Sequence, residues 1–329
     1  MLAACRTKIA SLPMLIVALC LAAFAGGLAL AKYPQRTLRI VVPFAPGGGT
    51  DVVARTLAHD MENDLGVTVI VENKPGAGTI IGTQAVAASR PDGYTLLLGT
   101  FSHAVNATLN AALPYDPHKD FAAVALLARS FNLVVVNPKS QIQSIEDLIA
   151  AAKADPGKMT FGTYGVGTSA HLAGELFKDM AKVNLTAVPY KGAAPAITDL
   201  IGGQIDAMFT TVASAASLVE SGQLRAIAVT SAERSPAFPQ IPTVAETGVP
   251  GYAAESWYGL FAPAGTPADI IDRLNKSAAS AVQSEAFKKL GVNEGLMMVA
   301  LPPQELDRFV RGEEERWRRV IQSAGIKVE

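Results

Sequence analysis

The sequence predicts an α/β protein with two doubly wound, Rossmann-like domains around a cleft. Short β-branched runs such as Leu38–Pro43 alternate with stretches of helical periodicity, the first of which carries Val53, Leu57 and Met61. This alternation is typical of parallel sheets with right-handed crossovers, and it starts again near residue 133. The 298 residues that follow a predicted leader of 31 residues are enough chain for two domains.

The predicted elements follow one another at the spacing of βαβ units in both halves of the chain. Prolines and glycines make 235–251 irregular, and the two amphipathic helices after residue 267 are expected to pack on the first domain. The predicted strands are 38–43, 67–71, 95–98, 133–136, 159–161, 185–188, 205–209, 224–230 and 258–261; the predicted helices are 53–65, 79–89, 144–154, 169–181, 193–201, 268–284 and 303–323, with a short one after Thr211.

The N-terminus is predicted to be a signal peptide, residues 1–31, that is removed on export. Arg6 and Lys8 precede a long apolar run, which ends in the small-residue pattern Ala29-Leu30-Ala31. A retained membrane anchor is the alternative, because the run is long enough to span a bilayer. Attachment of lipid at Cys20 is a lesser alternative, since Leu19 and not a small residue precedes it.

Composition restricts the chemistry of the mature chain. Both cysteines, Cys5 and Cys20, lie in the leader, so no thiol remains for a disulfide, a metal or covalent catalysis. Without the leader, 26 Lys and Arg stand against 29 Asp and Glu, a net charge of −3, which argues against a nucleic-acid partner.

Sequence signatures of cofactor, metal and catalytic sites are missing. The loop Gly47–Val52 lacks the third glycine of a dinucleotide loop, and the four histidines, 59, 103, 118 and 171, share no metal-ligand spacing. We therefore expect no cofactor, no metal and no catalytic residue. The run Gly167–His171 resembles a nucleophile elbow without its last glycine, and an N-capping Ser169 with His171 on the helix surface is the favoured interpretation.

Three glycine-containing loops lie where a predicted strand of the first half ends and a helix begins. In Pro43–Asp51 three consecutive glycines let backbone N–H groups face a ligand, and the start of the following helix favours an anion. Thr50 or Asp51 is expected to cap that helix, and a plain tight turn is the alternative interpretation. Pro75–Thr79 and Leu98–Ser102 repeat the arrangement at the next two junctions.

The second half offers matching loops. Thr163–Ser169 and Pro189–Pro195 each open a helix and supply hydroxyl and N–H groups. Tyr164 and Tyr190 are predicted to flank a ligand, with half-buried packing as an equal alternative. Lys191 is predicted either to contact the ligand carboxylate or to be a solvated surface lysine. Asp206 is predicted to lie at the site as a carboxylate that orients nearby N–H groups.

The chain resembles the Bug-type extracytoplasmic receptors of tripartite tricarboxylate transporters over essentially its whole mature length. The resemblance rests on several motifs in family order. These are Pro43-Phe-Ala-Pro-Gly-Gly-Gly-Thr-Asp51, Glu72-Asn-Lys-Pro-Gly-Ala-Gly78, Arg90-Pro-Asp-Gly-Tyr-Thr95, Pro189-Tyr-Lys-Gly192 and Phe261-Ala-Pro-Ala-Gly-Thr-Pro267.

The resemblance implies a Venus-flytrap fold of the type II periplasmic-binding-protein class, with domain 1 at 32–132 plus 254–329 and domain 2 at 133–253. It also implies a periplasmic monomer that binds a small organic acid mainly through loop N–H groups and hydroxyls and delivers it to membrane permease subunits. The predicted ligand-binding residues are Phe44, Ala45, Gly47, Gly48, Gly49, Thr50, Asp51, Gly76, Ala77, Gly78, Thr100, Tyr164, Gly165, Thr168, Ser169, Tyr190, Lys191, Gly192 and Asp206.

Two other functions stay open on the sequence alone. A receptor that uses the same closure to signal to a partner has the same sequence features as one that serves uptake. A hydrolase on this architecture, with Ser169 and His171, is the weaker alternative because fold alone never settles function.

Overall fold

The computed structural model describes residues 33–110, 112–165, 167–190, 192–235 and 237–326. Every element below belongs to one compact unit that begins at Arg36. The predicted signal peptide and Lys191 lie outside the described residues. Within the described ranges, no helix is both long enough and apolar enough to cross a bilayer.

The strands of the described chain join into one mixed sheet of ten. They are β1 Leu38–Val42, β2 Val69–Asn73, β3 Thr95–Thr100, β4 Phe121–Val136, β5 Thr160–Thr163, β6 Thr186–Pro189, β7 Ala207–Thr211, β8 Arg225–Val229, β9 Glu255–Pro263 and β10 Leu296–Leu301. Their order is β2-β1-β3-β9-β4-β7-β5-β6, and β8 and β10 also pair with β4.

Strand β4 joins two groups of strands. As far as Phe131 it pairs antiparallel with β9 and β10, and β9 leads on to β3 and the parallel strands β1 and β2. From Asn132 onward it pairs antiparallel with β7 and β8, and β7 leads on to the parallel strands β5 and β6. We call these the first and second strand groups.

Helices connect the parallel strands within both groups, as the sequence predicts. The helices of the described residues are α1 Gly49–Leu65, α2 Ile80–Ala87, α3 Phe101–Leu109, α4 Ile145–Ala154, α5 Ser169–Ala181, α6 Ala193–Ile201, α7 Val212–Glu220, α8 Ala268–Val282, α9 Glu285–Glu294 and α10 Pro303–Ser323. Helices α5, α6 and α10 begin and end at the predicted residues.

Four elements differ most from the prediction. Strand β4 is 16 residues long, whereas only 133–136 was predicted, because the preceding run Phe121–Asn132 is rich in alanine and lacks the β-branched pattern of a strand. Helix α9 and strand β10 were not predicted, and α3 was expected only as a helix start after Leu98–Ser102, without bounds. Ser284 starts α9 by accepting a hydrogen bond from the Phe287 N–H at 3.1 Å, which separates it from α8.

The apolar core runs through both strand groups. Leu306 and Val310 at the start of α10 pack in a cluster with first-group residues such as Trp257. Farther along the same helix, Trp317 packs edge to face on Phe101 of α3, and both rings belong to a cluster made mainly of second-group residues. Helix α10 therefore packs on both groups and not, as expected, on the first alone.

The chain passes from the first strand group to the second near Asn132 and returns near Ala254. Thr230 lies between these two crossings. Its hydroxyl accepts a hydrogen bond from the Asn132 N–H at 2.8 Å and donates one to the Ala254 carbonyl at 2.6 Å. Its backbone also bonds to both residues, at 2.9 and 2.7 Å. Since Thr230 is fully buried, these bonds fix the outgoing and returning chain in a dry environment.

Replacing Thr230 by valine is expected to lower the free energy of unfolding by about 2 to 4 kcal/mol. Valine has nearly the same shape, but it leaves the Asn132 N–H and the Ala254 carbonyl without a hydroxyl partner in the core. Chemical denaturation measures the loss. The control is Thr198→Val, an exposed hydroxyl on α6 bonded to Ala194, for which a change below about 0.5 kcal/mol is expected. Equal losses in the two variants would contradict the role of Thr230.

Candidate functional site

Two adjoining cavities lie between the strand groups, at the ends of their strands. The first, of about 280 Å³, is called the loop cavity, and the second, of about 260 Å³, the hydroxyl cavity. They share Phe44, Ser102 and Thr168. The loop cavity is also lined by Pro43, Ala45, Pro75, Gly76, Ala77, Gly78, Thr79, Asn106, Leu109, Asn110 and Gly167, and the hydroxyl cavity by Gly48, Gly49, Thr50, Thr100, Phe101, Tyr164, Ser169, Thr211, Ser256 and Tyr258.

Four helices begin at the hydroxyl cavity. Their N-cap residues are Gly48 before α1, Thr100 before α3, Thr168 before α5 and Thr211 before α7, and all four line the cavity. The first two belong to the first strand group and the other two to the second. A helix start carries N–H groups without backbone acceptors and the positive end of the helix dipole, so four starts together favour an anion.

The lining of both cavities is neutral. Among the described residues that line them, none is Asp, Glu, Lys, Arg or His. Hydroxyl groups of Thr50, Ser102, Ser169, Ser256 and Tyr258 add donors and acceptors around the helix starts. An anion held here would be neutralised by dipoles and hydrogen bonds and not by an ion pair.

Asp51 holds the first glycine loop from behind. Its carboxylate accepts hydrogen bonds from the Gly47 N–H at 3.0 Å and from the Arg55 and Asn73 side chains at 2.9 Å each. The Arg55 guanidinium, helped by the other two donors, lowers the pKa of Asp51 to about 2, although burial opposes this. Neither Thr50 nor Asp51 caps α1: the N-cap is Gly48, and it makes no side-chain bond.

The second loop, Pro75–Thr79, is held by Asn106. Gly76 has a backbone φ of +131°. Ala77 and Thr79 have φ of +46° and +82°, and these backbone conformations are energetically unfavourable for residues other than glycine. The Asn106 amide, which is buried, donates to the Gly78 carbonyl at 3.1 Å and to the Thr79 hydroxyl at 3.0 Å. Asn106 was not predicted, and its place inside a helix gives no sequence signal for this role.

Tyr164 orients the start of α7. Its hydroxyl donates a short hydrogen bond to the Thr210 hydroxyl and accepts one from the Thr211 N–H at 2.9 Å. Burial raises the pKa of Tyr164, so the phenol stays protonated. Tyr164 thus lines the hydroxyl cavity and also supports one of its four helix starts.

Tyr258, on β9, is a second phenol of the hydroxyl cavity. Burial, together with the nearby Glu294 carboxylate, raises the pKa of Tyr258 to about 12, while a hydrogen bond with Thr50 opposes this. Burial also raises the pKa of Glu294. Tyr258 therefore remains a neutral hydrogen-bonding group throughout the physiological range.

Most of the predicted ligand-binding residues come together at these cavities. Twelve of them line one cavity or the other: Phe44, Ala45, Gly48, Gly49, Thr50, Gly76, Ala77, Gly78, Thr100, Tyr164, Thr168 and Ser169. The lining residues outside the predicted set are Pro43, Pro75, Thr79, Phe101, Ser102, Asn106, Leu109, Asn110, Gly167, Thr211, Ser256 and Tyr258. Six of them, Pro43, Pro75, Thr79, Phe101, Ser102 and Gly167, belong to loops that the sequence marks as facing a ligand. Thr211 ends a strand, so the rule that found Thr100 also indicates it.

Other predicted residues lie in neither cavity: Gly47, Asp51, Gly165, Tyr190, Gly192 and Asp206. Tyr190 donates to Asp199 at 2.7 Å, and burial and this carboxylate raise its pKa to about 12. Asp206 accepts two hydrogen bonds from Thr160, both of 2.8 Å, at the start of β5. Contact of these residues with a ligand stays a prediction, and Lys191 lies outside the described residues.

The geometry around Ser169 does not form a nucleophile and base. The Nδ1 atom of His171 accepts a hydrogen bond from the Gly167 N–H at 3.2 Å, and Nε2 lies 3.8 Å from Glu175. Neither ring nitrogen therefore activates the Ser169 hydroxyl. The favoured interpretation was also wrong in detail, because Thr168 caps α5 and His171 is buried.

A doubly wound α/β fold with a neutral, hydroxyl-lined cleft between two strand groups defines a solute-binding protein of the periplasmic type. The sequence model described as "Tripartite tricarboxylate transporter family receptor" matches residues 53–326. The chain belongs to this family. Protein BugT of Bordetella pertussis is 38% identical over 309 residues, which cover 93% of this chain and 95% of that protein.

Solved structures of similar proteins have the same fold. The Rhodopseudomonas palustris protein Rpa4515, solved with adipate, is 37% identical, with a TM-score of 0.81 over 90% of this chain and 99% of its own. MatC from the same species, solved with malate, is 32% identical, with a TM-score of 0.77 over 88% of this chain and all of its own. These likenesses confirm the predicted fold class and family and do not support the hydrolase alternative.

Asp51→Asn is expected to lower the free energy of unfolding at pH 7 by about 1 to 2 kcal/mol. The folded pKa of about 2 lies below the ordinary 3.8, so this stabilisation is complete above pH 3.8 and is lost as the pH falls toward 2. Urea denaturation at pH 7, 4 and 3 should therefore show the wild type and the variant converging. Asp272→Asn, at an exposed position of α8, is the control, and a difference that does not shrink with falling pH would contradict this role of Asp51.

Proposed function

We propose that this chain is the exported binding component of a tripartite tricarboxylate-type transporter, and that it captures a small organic carboxylate without converting it. The observation that carries the proposal is the convergence of four helix starts on one neutral cavity. Carboxylates are the anions named for two structural neighbours, adipate and malate. Members of the family are periplasmic binding proteins, which supports removal of the predicted signal peptide and a periplasmic location.

The two cavities suit different parts of such a ligand. The hydroxyl cavity offers helix starts and hydroxyls to a carboxylate. The loop cavity adds apolar surface from Pro43, Phe44, Pro75 and Leu109 beside polar groups of the second loop. A short acid with one carboxylate in the hydroxyl cavity and its carbon chain toward the loop cavity fits this division.

Closure of two lobes is the mechanism that follows from the position of the cavities. We assign residues 32–132 and 254–329 to one lobe and 133–253 to the other, so that each lobe supplies two helix starts. A ligand that bonds to both pairs binds the closed arrangement better than the open one and shifts the population toward it. A 100-fold shift needs about 2.7 kcal/mol of differential affinity, which two or three charge-assisted hydrogen bonds supply. The closed monomer would then dock on the membrane subunits.

A screen of organic acids tests the proposed function. The mature chain is mixed with a panel of mono-, di- and tricarboxylates, acidic amino acids and aromatic acids. At least one acid is expected to raise the melting temperature and to bind stoichiometrically in calorimetry, with the acid recovered unchanged. Turnover of a panel member would overturn the proposal, and so would the absence of binding by every acid in the panel.

Gly48→Val is expected to weaken binding of the acid found in that screen at least about tenfold. Gly48 has the extended conformation that valine adopts readily, with φ −87°, and a Cβ atom there meets no other atom within 4 Å. The added methyl groups would enter the hydroxyl cavity, so folding should be preserved while the approach of the ligand to the N–H groups is blocked. Calorimetry measures the affinity, and Gly312→Ala on α10 is the control. Unchanged affinity in Gly48→Val would remove this loop from the site.

Lys191→Met is expected to weaken binding by less than about 1 kcal/mol, because helix starts and hydroxyls supply the attraction for the anion. The dissociation constants of the wild type and the variant are compared at low ionic strength, where a charge has its largest effect. Lys182→Met, which removes an exposed lysine paired with Asp179, is the control. A loss above tenfold, specific to Lys191, would show that a salt bridge holds the ligand.

A further inference from the structure

His171 lies directly behind the loop that the second strand group contributes to the hydroxyl cavity. It is the third residue of α5, whose N-cap Thr168 and first residue Ser169 line that cavity. Its side chain is buried and lines neither cavity. The mechanism of capture proposed above makes no use of it.

The histidine holds this loop through two hydrogen bonds. The ring Nδ1 accepts from the N–H of Gly167 at 3.2 Å. The backbone N–H of His171 donates to the Thr168 hydroxyl at 3.3 Å, and that hydroxyl in turn donates to the Gly165 carbonyl at 2.8 Å. Gly167 is itself buried and has φ +77°, so its N–H has little access to water.

The bond from Gly167 exists only while Nδ1 carries no proton. In neutral imidazole one nitrogen accepts and the other donates, and here Nδ1 accepts while Nε2 points toward Glu175. A protonated ring has two donors, so the Gly167 N–H would face another N–H group. The buried donor would then lose its partner, and the loop would have to move.

We propose that His171 is a positioning residue that couples ligand affinity to pH: its unprotonated Nδ1 holds Gly167, and with it Gly165 and Thr168, in the binding arrangement, and protonation of the ring releases these residues. The inference rests on the proposed capture of a ligand at the hydroxyl cavity. His171 would make the ability of the hydroxyl cavity to bind a ligand depend on pH.

Burial, and not the nearest charge, favours a neutral His171 in the folded protein. On its own helix, Glu175 faces Nε2 and also accepts from Lys178 at 2.9 Å. Burial lowers the pKa of His171, the Glu175 carboxylate raises it, and the Lys178 ammonium lowers it.

The elements packed most closely against α5 are β5, β7, β9 and α10, and the buried carboxylates among their described residues are already paired. Glu255 of β9 binds Arg129 at 2.6 Å. Glu313 of α10 accepts from Trp317 at 3.0 Å and lies 3.5 Å from Arg316. The ring is therefore governed by its burial and by the charges of its own helix.

The direction of the pH effect follows from the lowered pKa. The folded protein keeps the ring neutral, so affinity should be constant above the ordinary value of 6.5. As the pH falls below 6.5 and through the folded pKa, the proton competes with the Gly167 bond, and affinity should decrease.

Two substitutions separate the hydrogen bond from the charge. His171→Asn places an amide oxygen near the position of Nδ1 and does not titrate, whereas His171→Leu removes the acceptor. We expect His171→Asn to bind within about fivefold of the wild type at pH 8. We expect His171→Leu to bind at least about tenfold more weakly than the wild type at pH 8, with a smaller difference at pH 5.5, where the wild-type ring also loses the Gly167 bond. His59→Asn, on the exposed side of α1, is the matched control and should follow the wild type.

Calorimetry with adipate, malate or another acid from the screen is run from pH 8 to 5.5. The acid's own protonation affects all variants alike, so the ratio of the dissociation constant of the wild type to that of His171→Asn isolates the ring. This ratio is expected to rise at least about fivefold between pH 8 and pH 5.5. A ratio that stays constant would overturn the inference, and so would wild-type affinity for the acid in His171→Leu at pH 8.

Nuclear magnetic resonance of the ligand-free protein tests the same bond independently of any acid. The His171 ring should show Nδ1 without a proton at pH 8, and the Gly167 amide resonance should shift with the same midpoint as the ring. In His171→Asn the Gly167 amide should not titrate. If no acid binds, the proposed function fails while these resonances still decide the role of His171; a protonated Nδ1 at pH 8, or a Gly167 amide that ignores the ring, would overturn it.

Discussion

The site depends on peptide N–H groups that have no acceptor within their own helices. Each α-helix leaves such groups at its start, and this fold brings four starts to one cavity because strands β1, β3, β5 and β7 all end there. These donors belong to the backbone, so no single side chain accounts for them. A cavity built in this way can persist while the sequence around it diverges, which agrees with solved structures of 32 and 37% identity that share the fold.

Buried polar side chains fix the loops that carry these helix starts. Asp51 binds the N–H of the first glycine loop, Asn106 binds the second loop, Tyr164 binds the start of α7, and His171 binds the loop before α5. The surroundings of three of these four side chains shift their pKa values so that each keeps one protonation state. The carboxylate of Asp51 is held ionised, and the phenol of Tyr164 and the ring of His171 are held neutral. The lining thus stays uncharged: Asn106 and Tyr164 are neutral lining residues, and the charged Asp51 and the neutral His171 stand behind the loops that they hold.

The sequence predicted the fold class, the order of most elements and twelve of the lining residues, because glycine loops at strand ends follow from local pattern. It failed where long-range packing decides the outcome. The first part of β4 is alanine-rich and becomes a strand only between β9 and β10. Ser256 and Tyr258 line the cavity from a strand that arrives from far along the chain. The support given by Asn106 and the burial of His171 are tertiary effects that spacing does not show.

The shared apolar cluster at Trp317 restricts how the cavities can be opened. Phe101 and Trp317 pack with second-group residues such as Phe177 and Val134, so pulling the groups apart at that flank would wet a large aromatic surface. A rotation about an axis near this cluster would leave it intact. The flank opposite α10 is therefore the side on which the two strand groups could separate without exposing these rings.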